Sequence, residues 1–240
     1  DVSLQVERPE SGQLPSAFLQ ATTRELSFSI VPQGRSEPHT FDQFTLHASA
    51  SVDGQSGHGT GTLLLTDANG ALVTSSGSVE LDLAQLLRDP AGASKQLLRA
   101  PLDILLRLHP RPLSLLPLSL PGFPGGIAGS MQLSGSLLGP TLDVALQGQD
   151  LLAGTGADSE PLDVSALLRF VPNTGELTGR AEATRSGRSL VSARLEGSLT
   201  NDAGNPYVFA AWRAGELRAA AMLNDVPLEL WPAAAREHAQ

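Results

Sequence analysis

Apolar side chains recur at every second position over most of this chain, and this period decides the class of fold. The clearest case is the segment 191–199, VSARLEGSL. Its apolar positions are Val191, Ala193, Leu195, Gly197 and Leu199. A period of two is that of an extended strand, whose successive side chains point to opposite faces, whereas a helix repeats every 3.6 residues. The sequence therefore predicts antiparallel strands with one apolar face and one solvated face.

The same alternation recurs along the chain and predicts further strands. Its apolar positions are Phe44, Leu46, Ala48, Ala50 and Val52; Val79, Leu81 and Leu83; Leu142, Val144 and Leu146; and Leu217, Ala219, Ala221 and Leu223. Short turn-forming segments lie between them. These are DANG at 67–70, TSSGS at 74–78, PNTG at 172–175, RSG at 185–187 and NDAGNP at 201–206. Such turns are typical of hairpins, so we expect a meander.

Three segments depart from this pattern. Residues 83–99 are compatible with two short helical turns, broken at Pro90 and Gly92, and the C-terminal segment 231–240 has helix propensity. Residues 110–126 contain five prolines, which donate no hydrogen bond to a ladder. We therefore predict that this proline-rich segment is a crossover or an edge and not a central strand.

Two similarities within the sequence indicate a long internal repeat. PLSLLP at 112–117 resembles PLELWP at 227–232, and LLLTDANGALVT at 63–74 resembles LLRFVPNTGELT at 167–178. Repetition over many strands favours an extended, stacked architecture over a closed enzyme domain. We expect a first meander unit at 1–120 and a second at 121–240, which together form one continuous elongated domain.

Composition and charge exclude several classes of function. The formal net charge is −9 and Lys95 is the only lysine, so the positive field that attracts nucleic acid is missing. The chain has no cysteine, which suits an extracytoplasmic protein. It contains no apolar window long enough to span a membrane, and its first residues lack the features of a signal peptide. We therefore interpret the sequence as a segment of a longer protein.

Catalytic, metal and cofactor sites are not predicted. The five histidines show no metal-ligand spacing; they are His39, His47, His58, His109 and His238. GHGTG at 57–61 precedes a strand-like segment and not the helix that a dinucleotide loop requires. No serine lies in a GxSxG turn, and Glu80 and Asp82 occupy the solvated face of a strand. The expectation is a protein that is not an enzyme.

Two segments resemble a known family of envelope proteins. Residues 125–154 read GGIAGSMQLSGSLLGPTLDVALQGQDLLAG, and 212–232 read WRAGELRAAAMLNDVPLELWP. Both resemble the strand-repeat phrases of the TamB and AsmA-like family of Gram-negative bacteria. The matching positions of the first phrase are Gly129, Gly135, Leu137, Pro140, Leu142, Leu146, Asp150 and Leu151.

This resemblance, which covers roughly residues 44–235, implies a β-taco. In that fold a long antiparallel sheet, with one or two short helices here, curls into a U-shaped hydrophobic groove. The implied function is that of a middle segment of a periplasmic bridge, tethered to the inner membrane, which shelters phospholipid acyl chains between the two membranes. It also implies assistance to outer-membrane protein assembly and partnership with an Omp85-type barrel through the C-terminal part of the full-length protein.

The residues expected to line the lipid groove are the apolar positions of the predicted strands. They are Phe44, Leu46, Val79, Leu81, Ile104, Leu106, Leu142, Val144, Leu146, Val191, Leu195, Leu199, Leu217 and Leu223. An open groove and a filled core alternate identically in sequence, so a secreted structural or adhesive β-sandwich or β-solenoid stalk without a ligand is the alternative. A hydrolase on an all-β scaffold is the third possibility.

Overall fold

The computed structural model describes residues 1–7, 14–30, 39–113, 125–151, 161–201 and 212–224. These residues form twelve strands. They are β1 Val2–Glu7, β2 Ser16–Ile30, β3 His39–Val52, β4 His58–Asp67, β5 Gly70–Glu80, β6 Pro101–Pro112, β7 Gly126–Ser136, β8 Gly139–Leu151, β9 Leu162–Val171, β10 Glu176–Arg185, β11 Arg188–Asn201 and β12 Trp212–Leu223. Two short helices, α1 Leu83–Arg88 and α2 Ala93–Arg99, lie between β5 and β6 and flank a 3-10 turn at Pro90–Gly92.

The strands form one sheet in which their spatial order is their order along the chain, from β1 to β12. Neighbouring strands run antiparallel, and the described strands do not close into a barrel. This architecture confirms the predicted all-β meander with its two short helices. Each strand therefore pairs with the strand that precedes it, through two-residue turns at β4–β5 and β10–β11 and through the helical segment at β5–β6.

Contacts between residues divide the chain into two compact units. Unit 1 comprises Asp1–His109 and Ser130–Leu142, and unit 2 comprises Pro110–Gly129 and Asp143–Gln240. Unit 1 therefore contains β1 to β5 and both helices, and unit 2 contains β9 to β12. The division into sequence repeats near residue 120 stays a prediction.

Most of the predicted hairpin turns lie where the sequence places them. Two-residue turns join β4 to β5 and β10 to β11, and in the second of these Ser186 and Gly187 both have positive φ, at 50° and 76°. The PNTG segment joins β9 to β10. The prediction of a turn at TSSGS was wrong, because residues 74–78 lie inside β5. Serine and threonine fit the solvated face of a strand as well as they fit a turn.

The connection between β3 and β4 is held by the side chain of Asp53. Its Oδ1 accepts hydrogen bonds from the backbone N–H groups of Gln55 and Ser56 at 2.7 and 3.0 Å. These two backbone donors to the charged form hold the pKa of the Asp53 carboxyl below that of a freely exposed aspartate. These hydrogen bonds therefore stabilise the turn fully at pH values above the pKa that the Asp53 carboxyl has in the unfolded chain. Their contribution to stability is lost as the pH falls and the carboxyl protonates.

The helical segment at 83–99 is confirmed, and its caps explain a wrong prediction nearby. Asp82 Oδ1 accepts a hydrogen bond from the N–H of Gln85 at 2.9 Å and so begins α1. As a result, β5 ends at Glu80, and the predicted strand positions Leu81 and Leu83 do not lie on a strand. The N–H of Leu81 instead donates to the carbonyl of Gly57 at 2.9 Å.

The proline-rich segment departs from the prediction at its beginning. Strand β6 continues through Pro110 to Pro112, and it lies inside the sheet order between β5 and β7. The recorded pairs with β5 end at Leu108, opposite Val73, so both prolines lie beyond the last of them. Residues 114–124 lie outside the described part of the chain, as do the predicted C-terminal helix at 231–240, the second proline phrase at 227–232 and most of the turn at 201–206.

Two glycines of unit 2 allow the cost of a close backbone approach to be separated from the cost of a positive φ. Gly175 and Gly187 have φ values of 70° and 76°. A Cβ on Gly175 would lie 1.9 Å from the carbonyl oxygen of Leu199, whereas a Cβ on Gly187 would have nothing within 4 Å.

We expect Gly187→Ala to lower the free energy of unfolding by about 1 kcal/mol, which is the cost of the left-handed backbone alone. Gly175→Ala should cost at least ~2 kcal/mol more, because the backbone of β11 must move. Urea denaturation of the two variants measures the difference. Equal losses of unfolding free energy in the two variants would contradict the close approach of Gly175 to the carbonyl oxygen of Leu199.

Candidate functional site

The register of unit 1 collects its apolar side chains on one face of the sheet. Each cross-strand row joins apolar or small residues, as in Leu46, Leu65, Val73 and Leu108. We define the apolar face of unit 1 by these rows, which comprise Val2, Leu4, Val6, Ala17, Leu19, Ala21, Leu46, Ala48, Ala50, Val52, Gly59, Gly61, Leu63, Leu65, Val73, Ser75, Gly77, Val79, Leu102, Ile104, Leu106 and Leu108. No charged residue is among them.

The opposite face of unit 1 is polar and is joined by side-chain hydrogen bonds. Ser49 and Ser51 on β3 are hydrogen-bonded to Thr62 and Thr60 on β4, at 2.7 and 2.8 Å. Nearby, Nδ1 of His58 lies 2.6 Å from Oε1 of Glu80 on the next strand. Cross-strand pairs of hydrogen-bonded side chains stabilise a sheet, and polar side chains are mostly found in contact with water. The polar face is therefore the solvated face, and the apolar face requires another explanation.

The register of unit 2 produces the same separation. The apolar face of unit 2 comprises Val164, Ala166, Leu168 and Phe170 on β9; Leu177, Gly179, Ala181 and Ala183 on β10; Val191, Ala193, Leu195 and Gly197 on β11; and Leu217, Ala219, Ala221 and Leu223 on β12. Its polar face carries the arginines and glutamates of the same strands, such as Arg180, Glu182 and Arg194. Among these paired positions, charged side chains are thus confined to the polar face.

Strand β8 adds two side chains to the apolar face of unit 2. Gln147 and Gln149 line a concavity together with Glu182 and Thr184 of the polar face. Because successive side chains alternate, Leu146 and Val144 point to the other side.

The smallest side chains form a line across each apolar face. In unit 2, four alanines lie opposite one another on β9 to β12; they are Ala166, Ala181, Ala193 and Ala221. A groove of about 380 Å³ follows this line and is bordered by Leu168 and Leu195. In unit 1, Ala50, Gly61 and Gly77 form a corresponding row on β3 to β5. A row of small residues between larger ones makes a shallow channel that runs across the strands.

The apolar faces are not covered by other described residues. No described side chain is fully buried, and Ile104 and Leu217 are 37% and 46% exposed. In a close-packed sandwich, the inner side chains of two sheets interdigitate and lose nearly all contact with water. Contiguous exposed apolar surface is typical of a surface that contacts another molecule or a further part of the chain.

The structure brings most of the predicted groove residues onto these two faces. Phe44, Leu46, Val79, Ile104 and Leu106 belong to unit 1, where Phe44 follows from the alternation along β3 and is buried at 6% exposure. Val144, Leu146, Val191, Leu195, Leu217 and Leu223 belong to unit 2.

Three predicted residues have other surroundings. Leu81 lies outside the strands and lines a concavity of about 410 Å³ with Glu80, Asp82 and the turn at 54–57. Leu199 follows a register shift of β11 against β12, and its N–H donates to the carbonyl of Gly175 at 2.7 Å. Leu142 lies two residues before Val144 on β8, so the two side chains point to the same face of the strand. Leu142 nevertheless belongs to unit 1.

Sequence reasoning missed the contributions of the first two strands and of the small residues. Val2, Leu4 and Val6 alternate with polar residues, so the same period would have identified β1. The alanine row of unit 2 could not be found in this way, because it depends on the register between four strands.

Two chemical sites considered from the sequence, a metal centre and a carboxylate pair, are not formed by the described residues. No group of three or more His, Asp or Glu side chains in the described ranges could hold a metal ion. The carboxylate pair Glu80 and Asp82 is divided between two structural roles, since Glu80 contacts His58 and Asp82 caps α1. No described helix is long and apolar enough to cross a membrane.

Comparison with known proteins does not assign the chain to a family: no family model, curated protein or solved structure matches it. The separated apolar and polar faces are therefore what the chain itself offers as a functional site.

A larger side chain in the alanine row tests whether the apolar face of unit 2 is open. We expect Ala193→Leu to change the free energy of unfolding by less than ~0.5 kcal/mol, because the added atoms enter the groove. If another layer packed on this face, the same change would cost ~1–3 kcal/mol through overpacking. Urea denaturation distinguishes the two results.

The control for this measurement is Leu190→Ala in the same strand. Leu190 is 7% exposed, and its truncation should cost at least ~2 kcal/mol. A stable Leu190→Ala variant would show that denaturation does not report on unit 2.

Proposed function

We propose that the chain is a segment of a lipid-transfer bridge, in which acyl chains of phospholipids lie on the apolar faces of the sheet. The observation that carries this proposal is the row of four alanines, with its bordering groove, on an uncharged and exposed face of unit 2. Removing the apolar area of such a face from water is favourable by roughly 25 cal/mol per Å².

The dimensions of the alanine row suit an alkyl chain. Four strands span three gaps, which places the outer alanines roughly 14 Å apart. An alkyl chain along this line meets only methyl groups and hydrocarbon, since the backbone N–H and C=O groups of the inner strands are bonded to neighbouring strands. Movement along the row therefore breaks no hydrogen bond, and the headgroup remains in water at the rim.

The setting of this function rests on the resemblance of residues 125–154 to the TamB and AsmA-like repeats. In the proposal the full-length protein is tethered to the inner membrane, spans the periplasm and cooperates with an Omp85-type outer-membrane barrel. The chain takes part as a passive conduit, so the proposal requires no enzymatic step and no cofactor.

The test is mass spectrometry of an organic extract from the chain purified without detergent. We expect close to one phospholipid per chain on the parent protein. Leu195→Asp combined with Leu146→Asp places carboxylates on the apolar face, and an isolated carboxylate in hydrocarbon costs several kcal/mol. The bound lipid should therefore fall at least about tenfold.

The matched control is Ser192→Asp combined with Gln147→Asp, which adds the same two charges to the polar face of the same two strands. It should retain the lipid of the parent. A parent that is soluble, folded and free of lipid would contradict the proposal and favour the structural stalk. Equal loss of lipid from the control would show that the added charge, and not its face, is responsible.

A further inference from the structure

The helical segment between β5 and β6 carries leucines that the fold leaves in water. Leu87 of α1 is 64% exposed, and Leu97 and Leu98 of α2 are 45% and 37% exposed. Neither helix contains a buried residue. A helix on a globular protein normally places its leucines against the core, because this burial is the main source of its stability. Leucines exposed together are typical of a surface that contacts another molecule or a further part of the chain.

A hairpin turn adds a fourth exposed leucine beside α2. Leu137 and Leu138 form the two-residue turn between β7 and β8, and Leu138 is 48% exposed. The N–H of Leu138 donates to the carbonyl of Leu98 at 2.9 Å, so this turn lies against the end of α2. Turns of this length usually contain glycine, asparagine or aspartate, and their backbone geometry does not require leucine. We call Leu87, Leu97, Leu98 and Leu138 the exposed leucine patch.

Positive charge surrounds this patch although the chain as a whole has a formal net charge of −9. Arg88 directly follows Leu87 in the last turn of α1. In α2, Arg99 directly follows Leu98, and Lys95 lies one helical turn before Leu98. Long basic side chains of this kind can lie along apolar surface and keep their charge at a polar boundary. The patch is therefore both aliphatic and locally basic.

The two acidic side chains of the segment are engaged with its backbone. Asp82 Oδ1 accepts a hydrogen bond from the N–H of Gln85 at 2.9 Å, and Asp89 Oδ1 accepts one from the N–H of Gly92 at 3.0 Å. The second of these bonds also fixes the tight connection from α1 to α2. The three basic side chains of the segment outnumber these two carboxylates, which are held at the starts of the helical turns.

We propose that the exposed leucine patch, with Arg88, Lys95 and Arg99, docks the chain on the surface of a bilayer that contains anionic phospholipid. The leucines enter the boundary between headgroups and acyl chains, and the basic side chains contact the anionic headgroups. Charge complementarity favours a bilayer over a protein partner, because a bilayer places anionic groups directly above hydrocarbon. This contact depends on the helical segment and not on the apolar faces, so it goes beyond the proposed conduit and stands independently of it.

Further strands at the edges of the sheet would not displace this contact. The helical segment joins β5 to β6, and the turn that carries Leu138 joins β7 to β8. All four are interior strands of the described sheet. A strand added at an edge pairs beside β1 or β12, whereas the patch follows the ends of interior strands.

Flotation with vesicles tests the contact. We expect the chain to float with vesicles of equimolar phosphatidylcholine and phosphatidylglycerol, and to bind at least about tenfold more weakly to vesicles of phosphatidylcholine alone. Leu87→Ser combined with Leu97→Ser should weaken binding to the anionic vesicles at least about tenfold, because two aliphatic side chains no longer enter the bilayer.

The matched control for this pair is Leu167→Ser combined with Met222→Ser. Both residues are exposed on the polar face of unit 2, where they lie opposite Arg180 and Ser192. The control should bind the anionic vesicles like the parent chain. An equal loss of binding in the control would overturn the proposal, because exposed apolar side chains in general, and not the patch, would then govern binding.

Removal of the basic side chains tests the electrostatic part. Arg88→Gln, Lys95→Gln and Arg99→Gln together should weaken binding to the anionic vesicles at least about tenfold and leave the weak binding to phosphatidylcholine unchanged. The matched control removes the same charge from the polar face of unit 2 and should bind like the parent. Its substitutions are Arg169→Gln, Arg180→Gln and Arg194→Gln. Equal losses in the two triple variants would overturn the proposal in favour of a net-charge effect.

A dye on a single cysteine locates the contact without any multiple variant. The chain has no cysteine of its own, so Leu87→Cys can carry an environment-sensitive dye. We expect its emission to rise at least about twofold on addition of the anionic vesicles, because the dye enters the bilayer. The same dye on Ser76→Cys, exposed on the polar face of β5, should not respond. A folded chain that binds neither kind of vesicle, or that floats while the dye at position 87 stays in water, would overturn the proposal.

Discussion

The register between neighbouring strands is the constraint on which the rest of this structure depends. A β-strand satisfies its backbone only through its neighbours, and a shift by one residue would move every apolar side chain to the other face. From β2 to β6, and again from β9 to β12, the apolar positions of each strand lie opposite the apolar positions of its neighbours, apart from a few local register shifts. Each unit therefore has two chemically different faces although neither has a deeply buried core.

Glycines at the hairpins contribute to keeping this register. The carbonyl of Gly57 accepts a hydrogen bond from the N–H of Leu81, directly after β5, and that of Gly175 accepts one from the N–H of Leu199, near the end of β11. Both glycines have positive φ, and a Cβ on either would meet a carbonyl oxygen at 1.9 Å. The same device thus occurs in unit 1 and unit 2, where it joins a turn to the chain two strands later.

The absence of large side chains from the middle of the apolar faces separates this sheet from an ordinary sandwich. A sandwich gains stability because large side chains of its two sheets interdigitate. The row of Ala50, Gly61 and Gly77 offers no large side chain for such packing. Stability must then come from strand pairing and from whatever covers the face.

The sequence by itself determined the class of fold, most of the hairpins and the identity of most residues on the apolar faces. A period of two is a local property, and segments such as 191–199 carry it without reference to the rest of the chain. It also located the helical turns at 83–99 through Pro90 and Gly92.

Only the tertiary structure decided where alternating segments end and which rows they form. Leu81 continues the alternation of Val79 but leaves the sheet because Asp82 caps α1, and residues 74–78 stay in β5 because they pair with both neighbours. The rows of small residues arise when strands distant in sequence lie in one register, which no local pattern specifies. Backbone pairing across the sheet is a non-local interaction, and for that reason the groove emerges only from the fold.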